Sequence, residues 1–174
     1  ALDIRQKSLP SGHRMLAISY NNLGSVFDSM GQYAEAISYY EKGGELNESG
    51  CLVNLGSIYL NGEGVEKNNS KAIICLEKAA NLKDSRGFFN LGQIYYDFSE
   101  ELKDIPKAIQ CFQRAGELGN EKAFLHLGII HSMGNGVKKD IKKAISYFEK
   151  GEKLNEPGCL TNLGILYLDG EGIG

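Results

Sequence analysis

The sequence lacks the features by which membrane proteins and nucleic-acid binders are usually recognised. Its longest apolar runs are only a few residues, so membrane insertion is not expected. Basic residues are not in excess, because 19 Lys and Arg stand against 22 Asp and Glu, and this balance argues against nucleic-acid binding. With 3 prolines, 42% hydrophobic and 24% charged residues, the composition is that of a folded globular chain.

Metal and catalytic patterns are also missing. The four cysteines have no C-x-x-C spacing and no histidine in zinc-ligand register; they are Cys51, Cys75, Cys111 and Cys159. We expect them to be small buried side chains in a reducing compartment, with disulfides and metal ligands as the alternatives. His126 and His131 are five residues apart, so they do not share a helix face, and no acidic partner lies in metal register. The sequence therefore predicts no enzyme, no metal and no cofactor.

A period of about 36 residues organises the chain. The dipeptide Leu-Gly recurs with its leucine at Leu23, Leu55, Leu91, Leu127 and Leu163. The dipeptide Ala-Ile recurs in the same register, with its alanine at Ala36, Ala72, Ala108 and Ala144. A third marker is a leucine at Leu46, Leu82, Leu118 and Leu154. Three markers in one register indicate tandem structural repeats.

Each period is predicted to form two helices. Tyr20, Leu23, Gly24 and Phe27 follow the i, i+3, i+4, i+7 spacing of one apolar helix face. A glycine inside a helix costs about 1 kcal/mol relative to alanine, so its recurrence after each leucine predicts close approach of a neighbouring helix. Candidate N-caps stand four residues before three of the alanines, at Asn68, Asp104 and Asp140. The glycine pairs that end the first helices are Gly62/Gly64 and Gly134/Gly136, and the intervening repeat lacks them. Stacked helix pairs predict an all-α fold, an α-solenoid of antiparallel helix pairs.

The amino-acid sequence of the repeats resembles that of a known family. Residues 122–151 read K-A-F-L-H-L-G-I-I-H-S-M-G-N-G-V-K-K-D-I-K-K-A-I-S-Y-F-E-K-G, which is similar to the Sel-one-like repeat (SLR), and the resemblance covers roughly residues 50–174. The first unit has four residues fewer between its helices, from Gly24 to Ala36, and resembles the tetratricopeptide repeats (TPRs) of kinesin light chains. The resemblance implies a TPR/SLR superhelix.

The register also predicts the repeat boundaries. Residues 1–16 are expected to be the end of a preceding TPR helix and a linker, and residues 17–50 a TPR-like unit. SLR units are expected at 51–86, 87–122 and 123–158, followed at 159–174 by the first helix of a truncated repeat. That last helix has no following partner to cover its apolar face, so dimerisation through the uncapped C-terminal end is expected.

By resemblance, the first helices line a concave groove that binds peptides or partner proteins. One polar residue precedes each Leu-Gly, in the column Asn22, Asn54, Asn90, His126 and Asn162. The neighbouring candidates for peptide contact are Asn21, Ser25, Ser57 and Gln93. Side-chain amides can bond an extended backbone without reading its side chains, and kinesin light chains use similar asparagine ladders. The alternative is that these amides only satisfy neighbouring repeats.

The main functional interpretation is a non-catalytic interaction scaffold or adaptor, placed in the cytoplasm. An ER-lumenal quality-control adaptor of the SLR type is the first alternative, and the Asn-x-Ser sequons at Asn47 and Asn68 would bear on it. The remote alternative is a β-lactam-binding hydrolase of the cysteine-rich SLR type. That type places a second cysteine where this chain has Gly44 and Glu152, so its disulfide framework is absent here.

Overall fold

The computed structural model describes residues 11–98 and 102–170, and within these ranges every regular element is a helix. The helices are α1 Ser11–Ser29, α2 Tyr33–Glu45, α3 Ser49–Asn61, α4 Asn69–Asn81, α5 Ser85–Gln93, α6 Ile105–Glu117, α7 Glu121–Met133, α8 Ile141–Lys153 and α9 Pro157–Leu168. A π-helical turn, Ile94–Phe98, continues α5. The predicted all-α helical-repeat fold is confirmed. The chain forms two compact units, residues 1–87 and 88–174.

The starts of the second helices are capped as predicted. Asn68, Asp104 and Asp140 each accept a hydrogen bond, 2.9 Å long, from the backbone N–H three residues later. Each bond satisfies one of the N–H groups that a helix start leaves without an intrahelical partner, and is worth about 1 kcal/mol. Asn120 caps α7 in the same way, a feature that the sequence analysis did not single out. Capping therefore fixes where these helices begin.

The loops within the pairs follow their glycines. Gly62 and Gly134 adopt left-handed φ values of 74° and 69° directly after α3 and α7. An L-residue other than glycine is strained in this conformation, so these glycines end the helices. The third helix pair has no glycine at this point, and its first helix continues through the π-helical turn. Its different loop sequence had predicted a different connection. Residues 99–101 lie outside the described part of the chain.

In the first four Leu-Gly dipeptides, the glycine is covered by a large side chain from the second helix of its helix pair. A β-carbon on Gly24, Gly56 or Gly92 would lie 2.5–2.8 Å from Tyr40, Leu76 or Phe112 respectively. A β-carbon on Gly128 would overlap the Phe148 ring. The predicted close approach is therefore made by a side chain that fills the space over the glycine, more than by the two backbones. In α9, a β-carbon on Gly164 would meet nothing within 4 Å.

A second set of small residues packs where one pair meets the next. A β-carbon on Gly43 would overlap the Cys51 sulfur, and one on Gly151 would overlap the Cys159 sulfur. At the corresponding positions of the next junction, the Gly87 β-carbon would lie 3.0 Å from the Ala79 β-carbon. The third junction has Ala115 and Ala123 there, both fully buried. Three of the four junctions pair glycine with a larger residue, and the third pairs two alanines, so at no junction do two large residues meet.

The cysteines are packing residues, as predicted. Cys51, Cys75 and Cys159 are buried thiols, and Cys111 is half-buried. Burial raises the pKa of the Cys51 thiol to about 12, with the Glu48 charge adding to the effect. Burial raises the pKa of Cys159 to about 11 for the same reason, assisted by Glu156 and Glu152. Thiols held neutral in this way are poor nucleophiles and metal ligands.

The first helix departs from the repeat. Within the described residues α1 covers Ser11–Ser29, from six residues before the predicted start of the TPR-like unit, and has 19 residues where α3 has 13. Leu23 is 42% exposed, whereas its four register equivalents are buried to 6% exposure or less. This side of α1 is thus uncovered among the described residues. Residues 1–10, predicted to end a preceding helix, lie outside them. No helix of the described part is long and apolar enough to span a lipid bilayer.

Candidate functional site

In the first unit, three of the predicted site residues form a hydrogen-bonded group with Tyr40. The Asn54 Nδ2 on α3 donates to the Asn21 Oδ1 on α1 at 3.3 Å. The Tyr40 hydroxyl, whose ring fills the space over Gly24, donates to the Ser25 Oγ at 3.3 Å. Asn22 lies beside this group on the exposed side of α1. The amides therefore link two successive first helices and keep further donors and acceptors available, since an amide group can make more bonds than these.

The hydroxyl of Tyr40 is held neutral. Burial raises the pKa of Tyr40, and hydrogen bonds with Ser25 and Asn54 only partly offset this. Burial also raises the pKa of Asp28, and the Glu63 charge adds to it while a hydrogen bond with Tyr40 opposes it. The Tyr40 hydroxyl is thus a neutral polar group, held beside the Asp28 carboxyl.

A cavity of about 420 Å³ opens beside this group. Its walls come from the N-terminal part of α1, the turn between α2 and α3, and the residue after α4, namely Arg14, Ala17, Leu46, Asn47, Glu48, Ser49 and Leu82. Gly50 connects the cavity to the amides, because a β-carbon there would lie 3.1 Å from the Asn21 Oδ1 and 3.4 Å from the Glu48 Oε1. The cavity is large enough for one large side chain.

One wall of the cavity is braced by an ion pair. The Arg86 guanidinium donates two hydrogen bonds to the Asp84 carboxylate, at 3.0 and 2.7 Å, and the Ser49 hydroxyl donates a third at 2.7 Å. Burial alone would raise the pKa of Asp84, but the bonds from Arg86 and Ser49 outweigh it and hold the pKa below its usual value. Ser49 is thereby fixed, and the turn that carries it is a rigid part of the site.

In the second unit, the column residue His126 lies among aromatic rings. Its imidazole stacks on Phe112, with ring centroids 4.8 Å apart and an interplanar angle of 9°. It meets Phe89 and Tyr96 edge-on, at 5.4 and 6.2 Å. Burial lowers the pKa of His126, although the Glu156 charge opposes this. The neutral imidazole therefore belongs to a half-buried aromatic surface that favours apolar ligand groups.

The remaining predicted residues do not repeat the Asn21–Asn54 arrangement. Asn90 is half-buried and Gln93 is exposed, both on α5. The Asn162 Nδ2 donates to the Gly158 carbonyl of its own helix at 2.7 Å. The Ser57 Oγ likewise donates to the Val53 carbonyl one turn back, at 3.2 Å. Residues at one position of the repeat thus have different surroundings. In one repeat the side chain bonds another amide, in another it packs among aromatic rings, and in a third it bonds its own helix.

Sequence reasoning missed Tyr40, Asp28 and the cavity. Tyr40 could have been noticed, because it alone carries a hydroxyl at a register that otherwise holds Leu76, Phe112 and Phe148. The cavity had no sequence signal, since it depends on the extra N-terminal length of α1. Among the described residues, no cluster of His, Cys, Asp and Glu could hold a metal ion.

Comparison with known proteins gives consistent results. The Sel1 repeat model matches residues 49–84, 89–120, 125–155 and 157–174, and a tetratricopeptide repeat model matches 17–49. A search of the curated proteins gave no match. Among solved structures, a Sel1 repeat protein from Oxalobacter formigenes is 32% identical with a TM-score of 0.82, over 90% of this chain and 66% of that one.

Two further solved structures share the fold. Cysteine rich protein B of Helicobacter pylori is 33% identical with a TM-score of 0.56, over 72% of this chain and 91% of that one. A protective antigen of uropathogenic Escherichia coli that displays an SLR fold is 24% identical with a TM-score of 0.76, over 88% and 34%. This chain therefore spans just under two thirds of the Oxalobacter protein and about a third of the Escherichia coli protein.

Proposed function

The chain belongs to the Sel1 repeat family, and we propose that it is a non-catalytic protein-interaction module that binds extended peptide segments along its first helices. Helical repeats of this kind present surfaces on which partner proteins dock. The observation that carries the proposal is the amide pair Asn21–Asn54 beside a cavity of about 420 Å³. The amides supply backbone hydrogen bonds and the cavity takes one side chain, which together are the elements of sequence-tolerant peptide recognition.

The second unit contributes a different surface to the same proposal. His126, Phe89 and Tyr96 are half-buried rings on its first-helix side, and Ile129 is half-buried one turn further along α7. These groups bind apolar side chains through area burial, without a required hydrogen-bond pattern. We propose that backbone recognition belongs to the first unit and apolar side-chain recognition to the second.

The test is peptide binding with matched asparagine variants. Peptides selected on the wild-type chain from a displayed random library are measured by fluorescence anisotropy against Asn21→Ala/Asn54→Ala. Loss of two amide hydrogen bonds, at about 1 kcal/mol each, weakens binding by about tenfold to thirtyfold. The control is Asn61→Ala/Gln110→Ala, which removes two exposed side-chain amides that do not line the site and leaves affinity unchanged. Equal affinity of both double variants, with unchanged helicity, would assign the Asn21–Asn54 amides to structure alone.

Self-association through α9 is a second proposed interaction. Its outer side exposes Leu160, Ile165, Tyr167 and Leu168, the last of them 88% exposed, next to the unfilled Gly164 position. We expect concentration-dependent dimers by light scattering, and Leu160→Lys/Leu168→Lys to abolish them because lysines cannot be buried in such a contact. Glu149→Lys on exposed α8 surface is the charge control. A wild-type chain that remains monomeric at high concentration would rule out this contact.

We propose a reducing compartment, the cytoplasm, as the place of action. The support is the set of buried thiols at Cys51, Cys75 and Cys159, each of which packs without requiring oxidation. An ER-lumenal adaptor remains the alternative proposal. Of the two sequons, Asn68 is committed through its Oδ1 to capping α4, and Asn47 lines the cavity of the candidate site. A glycan on Asn47 would block that cavity.

A further inference from the structure

We propose that the α7/α8 pair is an acid-labile element of the fold, in which protonation of His131 opens the helical hairpin. His131 is 5% exposed, and neither of its ring nitrogens has a hydrogen-bond partner among the described residues. Its ring stacks on Tyr147 of α8, with centroids 5.6 Å apart and an interplanar angle of 17°. A neutral imidazole is tolerated in such a place, but an imidazolium with no acceptor is not.

The rest of the chain shows what this position normally holds. The residue four after each Leu-Gly leucine is Tyr59 in the second repeat and Tyr95 in the third, and both tyrosines are buried. A lysine of the following helix lies over each ring, Lys71 at 5.1 Å and Lys107 at 4.1 Å from the centroid. The lysine at the same register beside His131 is Lys143. The favourable lysine–ring pair of the other repeats therefore becomes a pair of like charges once His131 takes up a proton.

The charges facing His131 come from α8 and the residue before it. Lys143 disfavours protonation and Asp140, the N-cap of α8, favours it. Lys150 lies over the Tyr147 ring at 5.4 Å and so places a second cation behind the stacking partner. The Tyr147 hydroxyl already accepts a hydrogen bond from the Gln113 Nε2 of α6 at 3.0 Å. The C-terminal end of α7 favours a cation, with an effect on proton affinity of about twofold for an exposed group and up to about thirtyfold for a partly buried one.

The balance of these effects fixes the direction of the pH dependence. Burial is the largest effect on the pKa of His131, Lys143 adds to it, and together they outweigh Asp140, so the pKa lies below its ordinary value of 6.5. Well above pH 6.5 the imidazole is neutral in both the closed and the open state, and stability does not depend on it. As pH falls below 6.5 the open state binds the proton first, and stability is lost until the pKa of the closed state is reached. Between these two pKa values, the equilibrium constant for opening rises by up to tenfold for each unit by which the pH falls.

Hydrogen exchange between pH 5 and 8 tests this directly, with protection factors corrected for the intrinsic pH dependence of exchange. Protection of amides in residues 121–153 is expected to be constant above about pH 6.5 and to fall by up to tenfold per unit below it. In His126→Asn/His131→Tyr, which installs at position 131 the tyrosine of the second and third repeats and also removes the other histidine of α7, this fall is absent. Residues 49–81, which contain Tyr59, give the internal control in the same samples.

Two further variants keep the outcome decisive. His126→Asn removes the other histidine of α7 by installing asparagine, the residue at the other four positions of the column. The acid-dependent loss of protection is expected to persist in this variant. His126→Asn/His131→Gln carries neutral polar side chains at both positions at every pH, so it abolishes the pH dependence even if it lowers protection throughout. The proposal is overturned if His126→Asn/His131→Gln keeps the acid-dependent loss, if His126→Asn alone removes it, or if nuclear magnetic resonance gives His131 a pKa of 6.5 or higher.

Discussion

Replacement of Gly128 by alanine is expected to destabilise the α7/α8 pair by about 1–2 kcal/mol net. Alanine normally stabilises a helix by about 1 kcal/mol over glycine. Here the added β-carbon would overlap the Phe148 ring, which is fully buried. Overpacking of this kind typically costs 1–3 kcal/mol and sometimes more. The free energy of unfolding from urea denaturation, followed by helical circular dichroism, measures the loss.

The same substitution at Gly164 provides the matched control. Gly164 has the same register in α9, but a β-carbon there would meet nothing within 4 Å. Gly164→Ala should therefore keep the helix-propensity gain and stabilise the chain by up to about 1 kcal/mol. Opposite signs for one substitution at two equivalent positions would show that the glycine is required by the side chain that packs over it. Two stabilising results, or two destabilising results of equal size, would contradict this explanation.

Gly43→Ala is expected to cost about 2 kcal/mol, and Cys51→Ala to restore most of that loss. The Gly43 β-carbon would overlap the Cys51 sulfur, which is fully buried. Cys51→Ala alone leaves a small void and costs about 1 kcal/mol. Together the two changes recreate the Ala115 and Ala123 combination, which this chain already uses at its third junction.

The measurement is a double-mutant cycle on the free energy of unfolding. We expect the double variant to lose less stability than Gly43→Ala alone, and less than the sum of the two single losses. The coupling energy should be about 2 kcal/mol. Gly151→Ala and Cys159→Ala form a second cycle at the equivalent junction and should behave alike. Additive effects in both cycles would mean that the two side chains do not compete for the same space.

Much of the fold could be predicted from the sequence because its signals are local. Capping needs only a short polar side chain three residues before the N–H that it bonds, so Asn68, Asp104 and Asp140 were identifiable from spacing alone. Helix-ending glycines are equally local, and the absence of one after α5 predicted its different continuation. What the glycine of each Leu-Gly meets is not local, because the Tyr40, Leu76, Phe112 and Phe148 side chains arrive from another helix.

The candidate site was less predictable for the same reason. Asn54 and Asn162 share a register, yet the amide of Asn54 bonds Asn21 on another helix and the amide of Asn162 bonds its own Gly158 carbonyl. The difference depends on the neighbours that each amide can reach, which spacing along one helix does not encode. His131 illustrates the point again, since its identity was visible in the sequence but its lack of a hydrogen-bond partner was not.

The matched junction residues also limit how a gene of this kind can be recombined. An exchange that joined Gly43 to the junction of Gly87 would leave a void, and one that joined Ala79 to the junction of Cys51 would force an overlap. An exchange between residues 37–56 and 145–164 keeps glycine facing cysteine on both sides, and these two stretches are the most alike in the sequence. Repeats should thus be gained and lost in whole periods. A crossover should be tolerated where it keeps the two residues of a junction together, and not where it separates them.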